Sequence, residues 1–126
     1  MRAIDTSVLV RLVMGDDERQ TSAAQNFIRE GAWVSTLALA EAVWVLGDHY
    51  RLNAAQLVAA IEMLVNHRSV ILEQPAIVED ALDVFRSRPT LGFSDCLILE
   101  LARKSGHLPL GTFDRRLANT DGAQKI

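Results

Sequence analysis

Trp33-Val34-Ser35-Thr36-Leu37-Ala38-Leu39-Ala40-Glu41 changes character in mid-course. Its first three residues read as a short strand, and from Leu37 the chain is predicted to run as a helix to about Tyr50. The same switch recurs on either side. Ala3-Ile4-Asp5 reads as a strand, with Thr6 or Ser7 as a possible helix cap before the apolar run Val8 to Val13. Val70-Ile71-Leu72 reads as a third strand, and Pro75 opens a helix ending near Ser87, at a position where its missing N–H costs nothing. Ser94 is expected to cap a helix to about Ser105, Leu108 to Thr112 to form a fourth strand, and the tail from Ala123 a fifth. Arg115 to Leu117 reads as a helical turn between them. Two further helices are expected, over Gln20 to Arg29 and, capped by Asn53, to Asn66. Short strands alternating with helices indicate an α/β fold with a mainly parallel sheet covered on both faces. Ligands in such sheets sit at the carboxyl ends of the strands. Asp5 ends the first strand and Asp114 lies just beyond the fourth.

The chain has 126 residues, 49% of them hydrophobic, which suits one domain over residues 1–126 with a core of its own. A single cysteine excludes an internal disulfide. Met1-Arg2-Ala3-Ile4-Asp5 has no signal-peptide character, and nothing approaches eighteen uninterrupted apolar residues. A cytoplasmic protein without a membrane span is expected. The net charge of −3 has the wrong sign for a basic grip on nucleic acid. It leaves a nuclease open, because bound divalent cations reverse the local sign around carboxylates.

An acidic residue on a helix usually belongs to a solvated face, so its neighbours three and four residues away are informative. Around Glu41 these are Leu37, Ala38, Trp44 and Val45, and around Asp95 they are Leu91, Gly92, Ile98 and Leu99. Both carboxylates are expected to project from apolar stripes facing the core, where a charge must be paired or metal-bound. The alternative is a structural salt bridge to Arg11, which lies among Val8, Leu12 and Val13. Glu100, four residues before Lys104, reads as an exposed ion pair. All-oxygen ligation selects Mg2+ or Mn2+, whereas zinc would want histidine or cysteine. His49, His67 and His107 show no metal-ligand spacing and read as surface or interface residues. Cys96 reads as a small core side chain. No glycine-rich nucleotide fingerprint is present.

Ile4-Asp5-Thr6-Ser7, Ala38-Leu39-Ala40-Glu41, Phe93-Ser94-Asp95-Cys96 and Thr112-Phe113-Asp114 occur in the order of the PIN-domain family, and the chain resembles its VapC-type toxins along nearly its whole length. The resemblance implies a three-layer α/β/α sandwich with a mainly parallel central sheet. It implies a metal-dependent endoribonuclease, with Asp5, Glu41, Asp95 and Asp114 as catalytic metal ligands. Asp114 takes the family's more variable position, with Asp121 as the alternative. Ser7 and Thr112 match polar positions lining the same pocket. Phosphate contacts are expected from Arg86, Arg88, Arg115 and Arg116. The implied partners are an RNA substrate, a cognate antitoxin protein and a second copy of the chain. The apolar helix bearing Trp44 reads either as a groove wall for a partner or as a buried core helix. A noncatalytic PIN-like module binding RNA or peptide is the rival reading.

Overall fold

The computed structural model describes residues 1–126, which separate into two compact units, Met1–Pro75 and Ala76–Ile126. No helix is long and apolar enough to cross a membrane.

The first unit runs β1 (Arg2–Ala3), α1 (Thr6–Met14), α2 (Glu18–Phe27), β2 (Ala32–Val34), α3 (Thr36–Asp48), α4 (Ala54–Val65) and β3 (Val70–Leu72). Its strands are parallel in the order β1-β2-β3, with Ala3 opposite Trp33 and Trp33 opposite Ile71. Local chemistry sets each helix boundary. Asp5, not Thr6 or Ser7, caps α1, and Gly15, in the left-handed region at φ 60, ends it by donating its N–H to the Arg11 carbonyl. Asp17 caps α2 and Ser35 caps α3. Asn53 and Gln56 form a reciprocal capping box on α4. Leu9, Leu39, Leu46, Ile61 and Leu64 are buried almost completely. Each such side chain contributes about 1.5–3 kcal/mol by leaving water. Trp33 and Ile71, neighbours in register, keep 38% and 44% of their surface. Strands β2 and β3 therefore alternate between buried and exposed, and both residues of β1 are exposed.

The second unit carries α5 (Pro75–Ser87, whose first residue closes the preceding unit), α6 (Phe93–Lys104), β4 (Leu110–Thr112), α7 (Arg115–Ala118) and β5 (Ala123–Lys125). β4 and β5 pair in parallel, Leu110 with Ala123 and Thr112 with Lys125, joined through the single turn of α7. Strand β4 starts at Leu110, directly after Pro109, which has no N–H to donate. The core is built on Ala81, Leu82, Phe85, Phe93, Leu97 and Leu99, with the Phe85 and Phe93 rings edge-on at 5.9 Å. Gly92, rather than Ser94, caps α6, without any side-chain hydrogen bond. The α/β class and the parallel strand pairing are as the sequence predicts. The strands are distributed over a three-stranded and a two-stranded ladder.

Candidate active site

In the first unit the chain leaves β1 and turns into α1 at Asp5. The carboxylate caps that helix: Oδ1 accepts from the Ser7 hydroxyl at 2.6 Å and from the backbone N–H groups of Ser7 and Val8 at 3.0 and 3.3 Å. The Ser7 hydroxyl above all, with the Val8 N–H, holds the Asp5 carboxyl below its ordinary value. Glu41 projects from α3, and the Thr6 hydroxyl lies 3.1 Å from its Oε2 and 3.3 Å from the Ala38 carbonyl. With one proton, Thr6 serves one of these acceptors at a time. Consecutive residues thus address both acids, Ser7 engaging Asp5 and Thr6 engaging Glu41. All four line an open groove of about 460 Å³.

The expectation that Glu41 faces the core is overturned. Glu41 is exposed, and so are its helical neighbours Leu37 (77%) and Trp44 (63%), while Leu39, Ala42, Val43 and Leu46 form the buried face of α3. A helix apolar nearly all round offers no periodic signal for its buried side. Leu37 and Trp44 are therefore not the buried residues of a core helix. The alternative salt bridge fails as well. The Arg11 guanidinium pairs with Asp16 and donates to the Tyr50 hydroxyl at 2.8 Å.

In the second unit Asp95 lies half-buried in the first turn of α6. Burial first, and then the charge of Asp114, raise its carboxyl above the ordinary value. Asp114 caps α7, its Oδ1 accepting from Arg116 N–H at 2.8 Å and Leu117 N–H at 3.1 Å. The Thr112 hydroxyl accepts from the Asp114 N–H at 3.0 Å and so fixes the acid's backbone. Asp121, the alternative to Asp114, is drawn elsewhere: Arg103 lies 3.7 Å from its carboxylate and donates to its carbonyl at 2.8 Å. The same Arg103 donates to Glu100 at 3.1 Å. Glu100 is 8% exposed and pairs with Arg103, not at the surface with Lys104. Cys96 is buried, and desolvation together with Asp95 and Glu100 pushes its thiol up to about 11, which leaves it inert.

The four arginines divide. Arg88 donates to the Thr120 hydroxyl at 2.9 Å and to the Arg116 carbonyl at 3.1 Å, and the Arg116 guanidinium reaches the Thr90 carbonyl at 3.5 Å. These two clasp the α7 turn to the segment after α5. Arg86 donates to Asp83 at 2.9 Å. Arg115 is exposed at the start of α7.

Each unit thus presents two carboxylates, and neither unit by itself gathers three or more metal-competent side chains. No lysine or arginine of its own unit forms a salt bridge with any of the four acids. Oxygen donors without histidine or cysteine suit a hard divalent cation, and the mutual repulsion of Asp95 and Asp114 is what a cation would relieve. Thr6, Arg11, His49 and Tyr50 are the polar groove residues that the sequence reading did not assign to the site. For His49 a signal existed, because Glu41, Val45 and His49 recur at intervals of four along one side of α3.

Parallel strand–helix units that present acids at their turns define a class of α/β proteins with carboxylate-lined sites. The PIN domain family matches residues 3–123, and the chain belongs to that family. It is also similar to the VapC ribonuclease of Aquifex aeolicus (strain VF5), at 25% identity over 121 residues covering 92% of this chain and 89% of the relative. No solved structure matches.

Proposed function

We propose that this chain is a divalent-metal-dependent endoribonuclease, the toxin of a type II toxin–antitoxin pair, acting in the cytoplasm as one catalytic domain over residues 1–126. The observation that carries this reading is the pair of carboxylates in each unit, Asp5 with Glu41 and Asp95 with Asp114, left unneutralised by any arginine or lysine of that unit. Family membership and the VapC ribonuclease relative support the same chemistry.

Asp5, Glu41, Asp95 and Asp114 would hold Mg2+ or Mn2+. When bound, such an ion activates water and stabilises the leaving oxygen of an in-line displacement at phosphorus. Ser7 keeps Asp5 ionised and fixes its orientation, Thr6 orients Glu41, and Thr112 holds Asp114 through its backbone. Arg115 supplies a phosphate contact, with Arg86 and Arg116 in the same role and Arg88 holding the turn that carries Arg115 and Arg116. Water attacks phosphorus, the P–O3′ bond breaks and the departing oxygen takes a proton, leaving a 3′-hydroxyl and a 5′-phosphate. A 2′,3′-cyclic phosphate product would contradict this mechanism.

The antitoxin reading is supported by exposed apolar side chains beside the acids. Leu37 and Trp44 flank Glu41 on α3, and Phe113, 79% exposed, precedes Asp114. Such residues on a free surface favour a protein cover. A homodimer is expected, and a clean monomer in light scattering would remove it.

The test is cleavage of purified total RNA with Mg2+ or Mn2+, and then with EDTA, by wild type beside Asp5→Asn. Discrete fragments lost both with EDTA and with the substitution are expected. A folded wild type, free of inhibitor, that leaves RNA intact would favour the noncatalytic binding module.

A further inference from the structure

The groove that holds Asp5 and Glu41 does not end at the acids. Helices α1 and α3 are tied together at two places. Near the start of α1, Thr6 meets Glu41; near the ends of both helices, Arg11 meets the Tyr50 hydroxyl. His49 lies eight residues beyond Glu41, roughly 12 Å along the helix at 1.5 Å per residue. Val10 and Val45 line the stretch between the two ties, and the groove's volume of about 460 Å³ falls within the range of small-ligand sites.

The two ends differ in charge. At one end stand two carboxylates. At the other, the Arg11 charge is matched by Asp16, so an anion finds little net attraction there. Two of the five guanidinium donors are engaged, by Asp16 and by Tyr50, and the rest remain for a neutral ligand. Beside them the His49 and Tyr50 rings stand edge-to-face, 4.8 Å apart at 80°. His49 is exposed, so its ring is open to stacking. An acidic end suited to a cation-bridged phosphate, an apolar floor and an uncharged aromatic end with spare donors together match one nucleotide, from its phosphate to the far edge of its base.

We propose that this groove seats a single unpaired nucleotide of an RNA strand, its base stacked on His49 beside Tyr50 and hydrogen-bonded by Arg11. The inference rests on the ribonuclease reading above and adds a subsite to it. Stacking of a base on an aromatic ring tolerates any sequence but requires an unpaired base, so the groove selects single-stranded segments.

The experiment uses the full chain with Ca2+ as the only divalent ion, to bridge the acids and the phosphate without Mg2+ or Mn2+, and short single-stranded oligoribonucleotides carrying 2-aminopurine at successive positions. Wild type should quench the probe at one position, and a duplex of the same sequence should not compete. His49→Ala should restore the fluorescence and weaken binding roughly ten- to hundredfold, the loss expected for one stacked base. Tyr50→Phe keeps the ring and releases Arg11, so the quench should persist with weaker binding. His107→Ala, an exposed histidine outside the groove, should change nothing. Unchanged quench and affinity in His49→Ala would overturn the subsite. With Mg2+ or Mn2+ in place of Ca2+, cleavage by His49→Ala at an unaltered KM would overturn the subsite and leave the ribonuclease standing. A wild type that binds and quenches but never cleaves would uphold the groove and sink the ribonuclease. A wild type that binds no oligonucleotide would overturn the subsite outright.

Discussion

Asp5 and Glu41 in the first unit each meet a hydroxyl from the first turn of α1, whereas Asp95 and Asp114 in the second act on one another. Ser7 and Val8 donate to Asp5 and hold its carboxyl down; burial and the Asp114 charge push the Asp95 carboxyl up. The first pair is exposed and hydrogen-bonded to Ser7 and Thr6, and the ionised form of Asp5 is the folded protein's preferred one. Asp95 is half-buried beside a like charge, and its ionised form works against folding. On the proposed function, Asp5 is fixed and charged before any cation arrives, and the charge of Asp95 is stabilised only by that arrival.

The contrast extends to the arginines, and the largest expected effect tests it there. Arg88 is placed to hold the α7 turn, and so Asp114, through Thr120 and the Arg116 carbonyl. Arg88→Ala should cost about 2 kcal/mol in urea unfolding, the loss expected when hydrogen bonds from a charged donor are removed in a half-buried setting. Unchanged stability with weakened RNA binding would return Arg88 to the substrate and dissolve that part of the comparison.

A smaller effect is expected at Asp5. Because its folded pKa lies below the ordinary 3.8, its contribution is present above that value and lost as pH falls through the lower folded one. Asp5→Ala also removes the α1 cap. It should destabilise by about 1 kcal/mol at neutral pH, with the difference from wild type shrinking in strong acid. A pH-independent difference would show that packing, not the charged cap, is at stake.

Asp95 should behave in the opposite sense, and by the least. Its folded pKa lies above 3.8, so wild type gains stability as pH falls through that raised value, and ionisation opposes folding at neutral pH. Asp95→Asn should therefore stabilise the protein at neutral pH, by no more than about 1 kcal/mol, and match wild type in acid. Thermal melts at neutral pH with Mg2+ sharpen the point, because the ion should raise the wild-type midpoint more than the variant's. Destabilisation by Asp95→Asn would mean that the carboxylate is satisfied after all.

Much of the fold was legible because its signals are local. Val70-Ile71-Leu72, the Asn53 cap and the Pro75 helix start are each written in a few adjacent residues, and the structure places them there. The candidate acids are singled out by the same route, from their positions in four short motifs. Misreadings arose where one choice competed with another at equal local cost. Asp5, Thr6 and Ser7 are all competent caps, and only the path out of β1 selects Asp5. Ser94 lost to Gly92 for the same reason.

Sequence alone determined the order of strands and helices, the family and the set of oxygen-bearing side chains, because periodicity, capping chemistry and motif order all act within a few residues. Tertiary structure decided which side of each helix is wet and which donor each charge receives. Helix α3 is apolar nearly all round, so burial of Leu39 and Leu46 and exposure of Leu37, Glu41 and Trp44 depend on which neighbours cover it. Arg11 had Glu41 and Asp95 as candidate partners in the sequence and took Asp16 and Tyr50 in the fold. An ion pair is chosen by distance in space, and distance in space is what a linear pattern of residues does not carry.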